Sequence, residues 1–113
     1  MSKIVLVTGA SSGIGKAIAT FLSEKGYIVY GTSRTSKKEK DFSFKIIALD
    51  VLKVDTIKTA VAYILEKEGR LDVLVNNAGM GITGPVEETP TDEMRAVFNT
   101  NLFGAIDVMK AVL

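Results

Sequence analysis

The residues best placed to do chemistry stand together near the amino end: Thr8-Gly9-Ala10-Ser11-Ser12-Gly13-Ile14-Gly15. Glycines at 9, 13 and 15 carry no Cβ, so the backbone there can bend sharply and approach a ligand closely. An apolar run at residues 4–7 precedes the stretch, and Ile14, Ala17, Ile18, Phe21 and Leu22 follow at helical spacing. The pattern predicts a strand, a glycine-rich turn and the start of a helix. The free N–H groups and positive dipole end of such a helix attract phosphate. The chemistry on offer is therefore capture of a phosphorylated ligand by backbone amides, with the Ser11 and Ser12 hydroxyls beside them. The competing reading is a tight turn that only packs a helix on a strand.

The spacing narrows the ligand. Gly-x-x-x-Gly-x-Gly differs from the Gly-x-Gly-x-x-Gly of many dinucleotide folds, and from a phosphate loop, which ends in Gly-Lys-Ser/Thr. Lys16 follows Gly15, but Ala17 stands where a magnesium-binding hydroxyl is needed, which disfavours an NTPase. The chain has no cysteine and no histidine. Thiolate chemistry, disulfides, Cys-based zinc sites and His-dependent triads are excluded, and no metal site is expected.

These residues need elements to hold them. With 113 residues there is room for one domain, and 47% hydrophobic with 24% charged residues reads as globular. A net charge of +1 gives no case for nucleic acid or an anionic membrane. No run approaches the roughly 20 apolar residues of a membrane span. Met1-Ser2-Lys3 leads straight into the first strand, which leaves no room for a signal peptide, so a cytoplasmic location is expected.

The first helix is predicted over residues 14–25 with Gly26 as its cap. Residues 27–31, 45–49 and 71–75 read as strands, and residues 37–40 as a polar connection. Val54, Ile57, Val61, Ile64 and Leu65 predict a helix closed by Gly69. Gly81, Gly84 and Pro85 predict a loop, and Thr89-Pro90-Thr91-Asp92 a helix start with Thr89 as N-cap and Pro90 at the first helical position. Residues 94–113 keep a helical pattern without a stop. Strands alternating with helices specify an α/β fold, a doubly wound parallel sheet with right-handed crossovers. Its switch point falls at the ends of strands 1 and 4, where the glycine turn and residues 76–79 both emerge.

Taken together, four segments resemble the short-chain dehydrogenase/reductase family: residues 8–15, Asp50-Val51, Asp72-Val73-Leu74-Val75-Asn76-Asn77-Ala78-Gly79, and Asn101-Leu102-Phe103-Gly104. They follow the family's order and cover nearly the whole chain. The resemblance implies a Rossmann-like cofactor-binding half of a reductase acting on a small carbonyl or alcohol substrate, and a homo-oligomer. It implies that Gly9, Ser11, Ser12, Gly13, Ile14 and Gly15 hold a pyrophosphate, Ile14 through its N–H. Asp50 and Val51 would meet the adenine, though a strand-end or N-cap acid is the alternative for Asp50. Asn77, Ala78 and Gly79 would pass the adenosine ribose, while Asn76 reads equally as a tie between strand ends. Asn101 matches the family's active-site asparagine in a proton relay through water to a lysine; a buried structural amide is the alternative.

Arg34 decides between cofactors. In NAD binders an acid about twenty residues after the glycine turn holds the ribose 2′-OH, whereas arginine accommodates a 2′-phosphate. Strand 2 runs into Thr32-Ser33-Arg34 with no acid, so NADP(H) is expected over NAD(H), with Ser33 and Lys37 as further contacts. Ser12 stands where NADP members often carry a basic residue.

The family's catalytic serine and Tyr-x-x-x-Lys pair have no counterpart. Tyr63-Ile64-Leu65-Glu66-Lys67 has the spacing but precedes Asn76 and reads as a surface i,i+4 pair. The expectation is the first half of a longer reductase, close to inactive alone, with an open strand edge and uncovered apolar residues Ala105, Ile106, Met109, Val112 and Leu113. A naturally short, non-catalytic NADP-binding or sensor module is the second reading.

Overall fold

A computed structural model of the chain describes residues 2–35, 42–79, 88 and 90–113. The predicted connection at 37–40 and the loop carrying Gly81, Gly84 and Pro85 lie outside the described residues. Four β-branched runs form the strands β1 (Ile4–Val7), β2 (Ile28–Ser33), β3 (Lys45–Ala48) and β4 (Val73–Val75). They make one parallel sheet in the order β3-β2-β1-β4. β1 is flanked by β2 on one side and β4 on the other, so the order reverses beside it and a crevice opens at the carboxyl ends of β1 and β4. This is the doubly wound arrangement predicted, with β4 at an edge.

Two helices bury their stripes on the sheet. α1 (Gly13–Glu24) lies over Val5, Val7 and Val29, and α2 (Val54–Glu68) covers the other face through Ile57, Ala60, Val61 and Ile64. Gly26 (φ 95°) and Gly69 (φ 81°) end them in the left-handed region, as helix-terminating glycines do. The stripe of α1 differs from the predicted one. Gly15 and Ala19 are buried, with Ile18 and Leu22 half-buried, while Ala17 faces out and Ile14 and Phe21 are 74% and 57% exposed. Small residues let the helix backbone approach the sheet, and that close seat outweighs burial of the larger side chains one face over. Val54 and Leu65 on α2 are likewise exposed.

The carboxyl-terminal helical region departs from the sequence reading twice. α3 (Thr91–Phe98) has Pro90 at its N-cap and Thr91 as first residue, one position later than predicted; Thr89 lies outside the described residues. The helical run predicted without a stop is unbroken through Val112, but it is not α-helical throughout: a π-helical turn (Asn99–Gly104) joins α3 to α4 (Ala105–Val112). Tyr63 is half-exposed on α2, edge-on to buried Tyr30 (6.3 Å), with Lys67 Nζ 5.7 Å from its ring centre. That is the surface pair predicted. At the far end of the sheet the Asp72 carboxylate accepts the Ile4 N–H (2.7 Å) and pairs with Arg70 (3.0 Å). The Ile4 N–H, with Arg70 and Lys3 adding charge, holds Asp72 below the usual carboxylate range.

Candidate functional site

The glycine turn is fastened to the strands on both sides of it. Thr8, fully buried at the end of β1, accepts the N–H groups of Asn77 and Ala78 on its Oγ1, each at 3.0 Å. On the other side Thr32 Oγ1 accepts the Gly9 N–H (3.1 Å), and Ala10 N–H donates to the Thr32 carbonyl (2.8 Å). Asn77 Nδ2 donates to the Gly9 carbonyl (3.1 Å). Five hydrogen bonds thus tie the turn and residues 77–78 to their neighbours before any ligand arrives.

Each glycine of the turn is required for a different reason. Gly9 is left-handed (φ 67°), and a Cβ there would stand 2.9 Å from Ala78 Cα. Gly15 sits against the Gly9 carbonyl and the Asn77 amide, leaving no room for a side chain. Gly13 is also left-handed (φ 59°), yet its Cβ would meet nothing within 4 Å. Space is open above Gly13, at the first turn of α1, where N–H groups lack helical partners.

A cleft of about 810 Å³ opens at this switch point, within the size range of small-molecule and cofactor sites. Gly9, Ser11 and Ser12 line it from the turn, Thr32, Ser33 and Arg34 from β2, Asp50 and Val51 after β3, and Asn77, Ala78 and Gly79 after β4. The sequence-predicted residues from four separate segments therefore converge. Gly13, Ile14, Gly15 and Asn101 are not among its walls: Gly15 is buried beneath the turn and Ile14 projects outward.

Local geometry qualifies several assignments. Ser33 is nearly buried, its Oγ accepting the Thr35 N–H at 3.4 Å. Asp50 is not the N-cap of α2, a position held by Lys53; its Oδ1 accepts the Leu52 N–H (2.9 Å), closing a turn that leaves the carboxylate on the cleft wall. Asn76 does not tie strands together but donates Nδ2 to the Ala105 carbonyl (2.9 Å). Asn101 is exposed, not buried, and its Oδ1 lies where a Cβ on Gly79 would be 2.9 Å away. Sequence reasoning passed over Thr32, Lys53 and Thr100, all of which line the cleft. The pairing of Val7 with Gly31 places Thr32 beside Thr8, so register could have found it.

A parallel sheet with a glycine turn at its switch point defines the Rossmann-like, doubly wound class. The chain belongs to the short-chain dehydrogenase/reductase family: the profile of that family, described as short chain dehydrogenase, matches residues 3–113. It is 47% identical over 111 residues to 3-ketodihydrosphingosine reductase of Bacteroides thetaiotaomicron, covering 98% of this chain and 41% of that protein. It is 39% identical to a 3-oxoacyl-[acyl-carrier-protein] reductase of Vibrio harveyi, covering 98% and 48%. The structure of ElxO with NADP bound superposes with a TM-score of 0.91 at 37% identity, covering 98% and 49%. The chain spans less than half the length of each.

Proposed function

We propose that this chain forms the NADP(H)-binding part of an oxidoreductase that moves a hydride between the nicotinamide and a carbonyl or alcohol substrate. The observation carrying the cofactor preference is Arg34, exposed on the cleft wall two residues beyond the Thr32 that fastens the glycine turn. An acid there would bind a ribose 2′-OH and repel a 2′-phosphate; arginine offers that phosphate a planar fork of donors. The NADP bound by ElxO supports the reading.

The residues present fit such a cofactor. Open space over Gly13 and an 810 Å³ cleft leave room for it. Gly9, Ser11, Ser12, Gly13, Ile14 and Gly15 would hold the diphosphate, and Ser33 and Arg34 the 2′-phosphate. Asp50 and Val51 would meet the adenine. Residues 77–79 would pass the ribose at close range, with Asn77 Nδ2 held on the Gly9 carbonyl. Bound NADPH supplies the hydride; the chain's own task is to bind and orient it. Asn101, exposed beside Gly79, would hold a water of the proton relay. The names of the two relatives share a 3-oxo group, which we take as the substrate class.

Titration of the protein and its Arg34→Ala variant with NADPH and NADH tests the reading. Loss of the arginine should weaken NADPH by about tenfold or more, some 1.4 kcal/mol, and leave NADH little changed. Equal losses would refute the NADP preference. Failure of the unaltered protein to bind either nucleotide would refute the function.

A further inference from the structure

The π-helical turn is placed where an ordinary helix would do harm. Asn101, Gly104, Val108 and Ala111 are spaced so that an unbroken α-helix would set them on one face. Val108 is fully buried against α2 in the cluster of Ile57, Ala60 and Val61, so that face is the core face. Unbroken, the helix would turn Asn101 toward the core. A π turn inserts one residue, which rotates the helix on its amino side by about 100° relative to the helix on its carboxyl side. As a result Asn101 is exposed beside Gly79, and Thr100 lines the cleft.

Such turns are rare, form mostly as single turns inside α-helices and are frequent at functional sites. This one is gripped from outside the helix at two points. Gly104 is buried so closely on Val51 that a Cβ would stand 2.8 Å from Val51 Cγ2. Asn76, at the end of β4, donates its side-chain amide to the carbonyl of Ala105, the first residue after the turn. We propose that Asn76 is a positioning residue: its bond to Ala105 latches the π turn and so fixes Thr100 and Asn101 at the cleft. The purpose assigned to the latch rests on the cofactor-binding reading; the latch itself does not.

Asn76→Asp keeps the shape of the side chain and removes its N–H donors, while Asn76→Ala removes both. Asn76 is exposed, so both variants should fold. Amide hydrogen exchange over residues 99–105 should rise by about tenfold in each, at least as much for Asp as for Ala. Exchange in β1 and α2 should stay as it was. The amide frequencies of Thr100 and Asn101 should also shift, which a general loss of stability would not cause. Unchanged exchange at 99–105, a rise spread evenly over the sheet and α2, or a wild-type-like Asp variant would each overturn the proposal. Failure of the unaltered protein to bind NADPH would refute the cofactor reading and leave the exchange result to decide the latch.

Discussion

Two glycines of the turn share a backbone conformation but differ in surroundings, and alanine at each should separate folding from binding. Both are left-handed, Gly9 at φ 67° and Gly13 at φ 59°. A side chain in that region costs about 1–2 kcal/mol, so each variant begins with the same penalty. At Gly13 nothing stands within 4 Å of the added Cβ, so the penalty ends there. At Gly9 the Cβ would lie 2.9 Å from Ala78 Cα, on the segment that Thr8 anchors through two N–H groups. Overpacking of that kind costs about 1–3 kcal/mol more. Urea denaturation should therefore show Gly9→Ala to be the more destabilised of the two by at least about 1 kcal/mol. NADPH titration should show a further difference. The Gly13 methyl occupies the open space assigned to the diphosphate, so Gly13→Ala should weaken binding about tenfold or more, some 1.4 kcal/mol, while losing only the backbone penalty of about 1–2 kcal/mol in stability. Equal destabilisation would refute the packing argument. Undiminished affinity in Gly13→Ala would refute the placement of the diphosphate.

Thr8→Val preserves shape but removes the Oγ1 acceptor; the Asn77 N–H keeps the Val75 carbonyl (3.1 Å), so the Ala78 N–H is the group left unpaired, at about 1–3 kcal/mol. Thermal or urea unfolding should register a loss of at least about 1 kcal/mol, and Thr8→Ser should recover most of it. The Asp72 carboxylate has its pKa depressed in the fold, so the stability it contributes is complete above the ordinary carboxylate range and lost as pH falls through that range toward the lowered value. Unfolding measured from neutral to acidic pH should show a loss in this window that is smaller in Asp72→Asn. An identical pH dependence in the two proteins would remove Asp72 from the account.

What could be read from the sequence was what depends on backbone chemistry. Gly9 and Gly13 adopt positive φ, Gly26 and Gly69 end helices, and alternating strands and helices produced the order β3-β2-β1-β4. Given that order, the turn, Arg34, Asp50 and residues 77–79 had to meet at one crevice. The rotation of α1 was not legible. Hydrophobicity favours burying Ile14 and Phe21, but Gly15 and Ala19 allow a closer seat on β1, and only tertiary packing weighs one against the other.

The π turn was hidden for a related reason. Residues 94–113 show an uninterrupted helical pattern, and the signal against it lies elsewhere in the chain, in Val51 and Asn76. Thr32 is a parallel case. A threonine in a strand reads as a residue chosen for β-propensity. Here its hydroxyl, buried beside Thr8, holds the Gly9 N–H and makes β2 part of the turn. The glycines permit the bend; Thr8, Thr32 and Asn77 select it from the conformations glycine allows. A turn of glycines without those three partners would lose more entropy on binding a phosphate and should bind it more weakly.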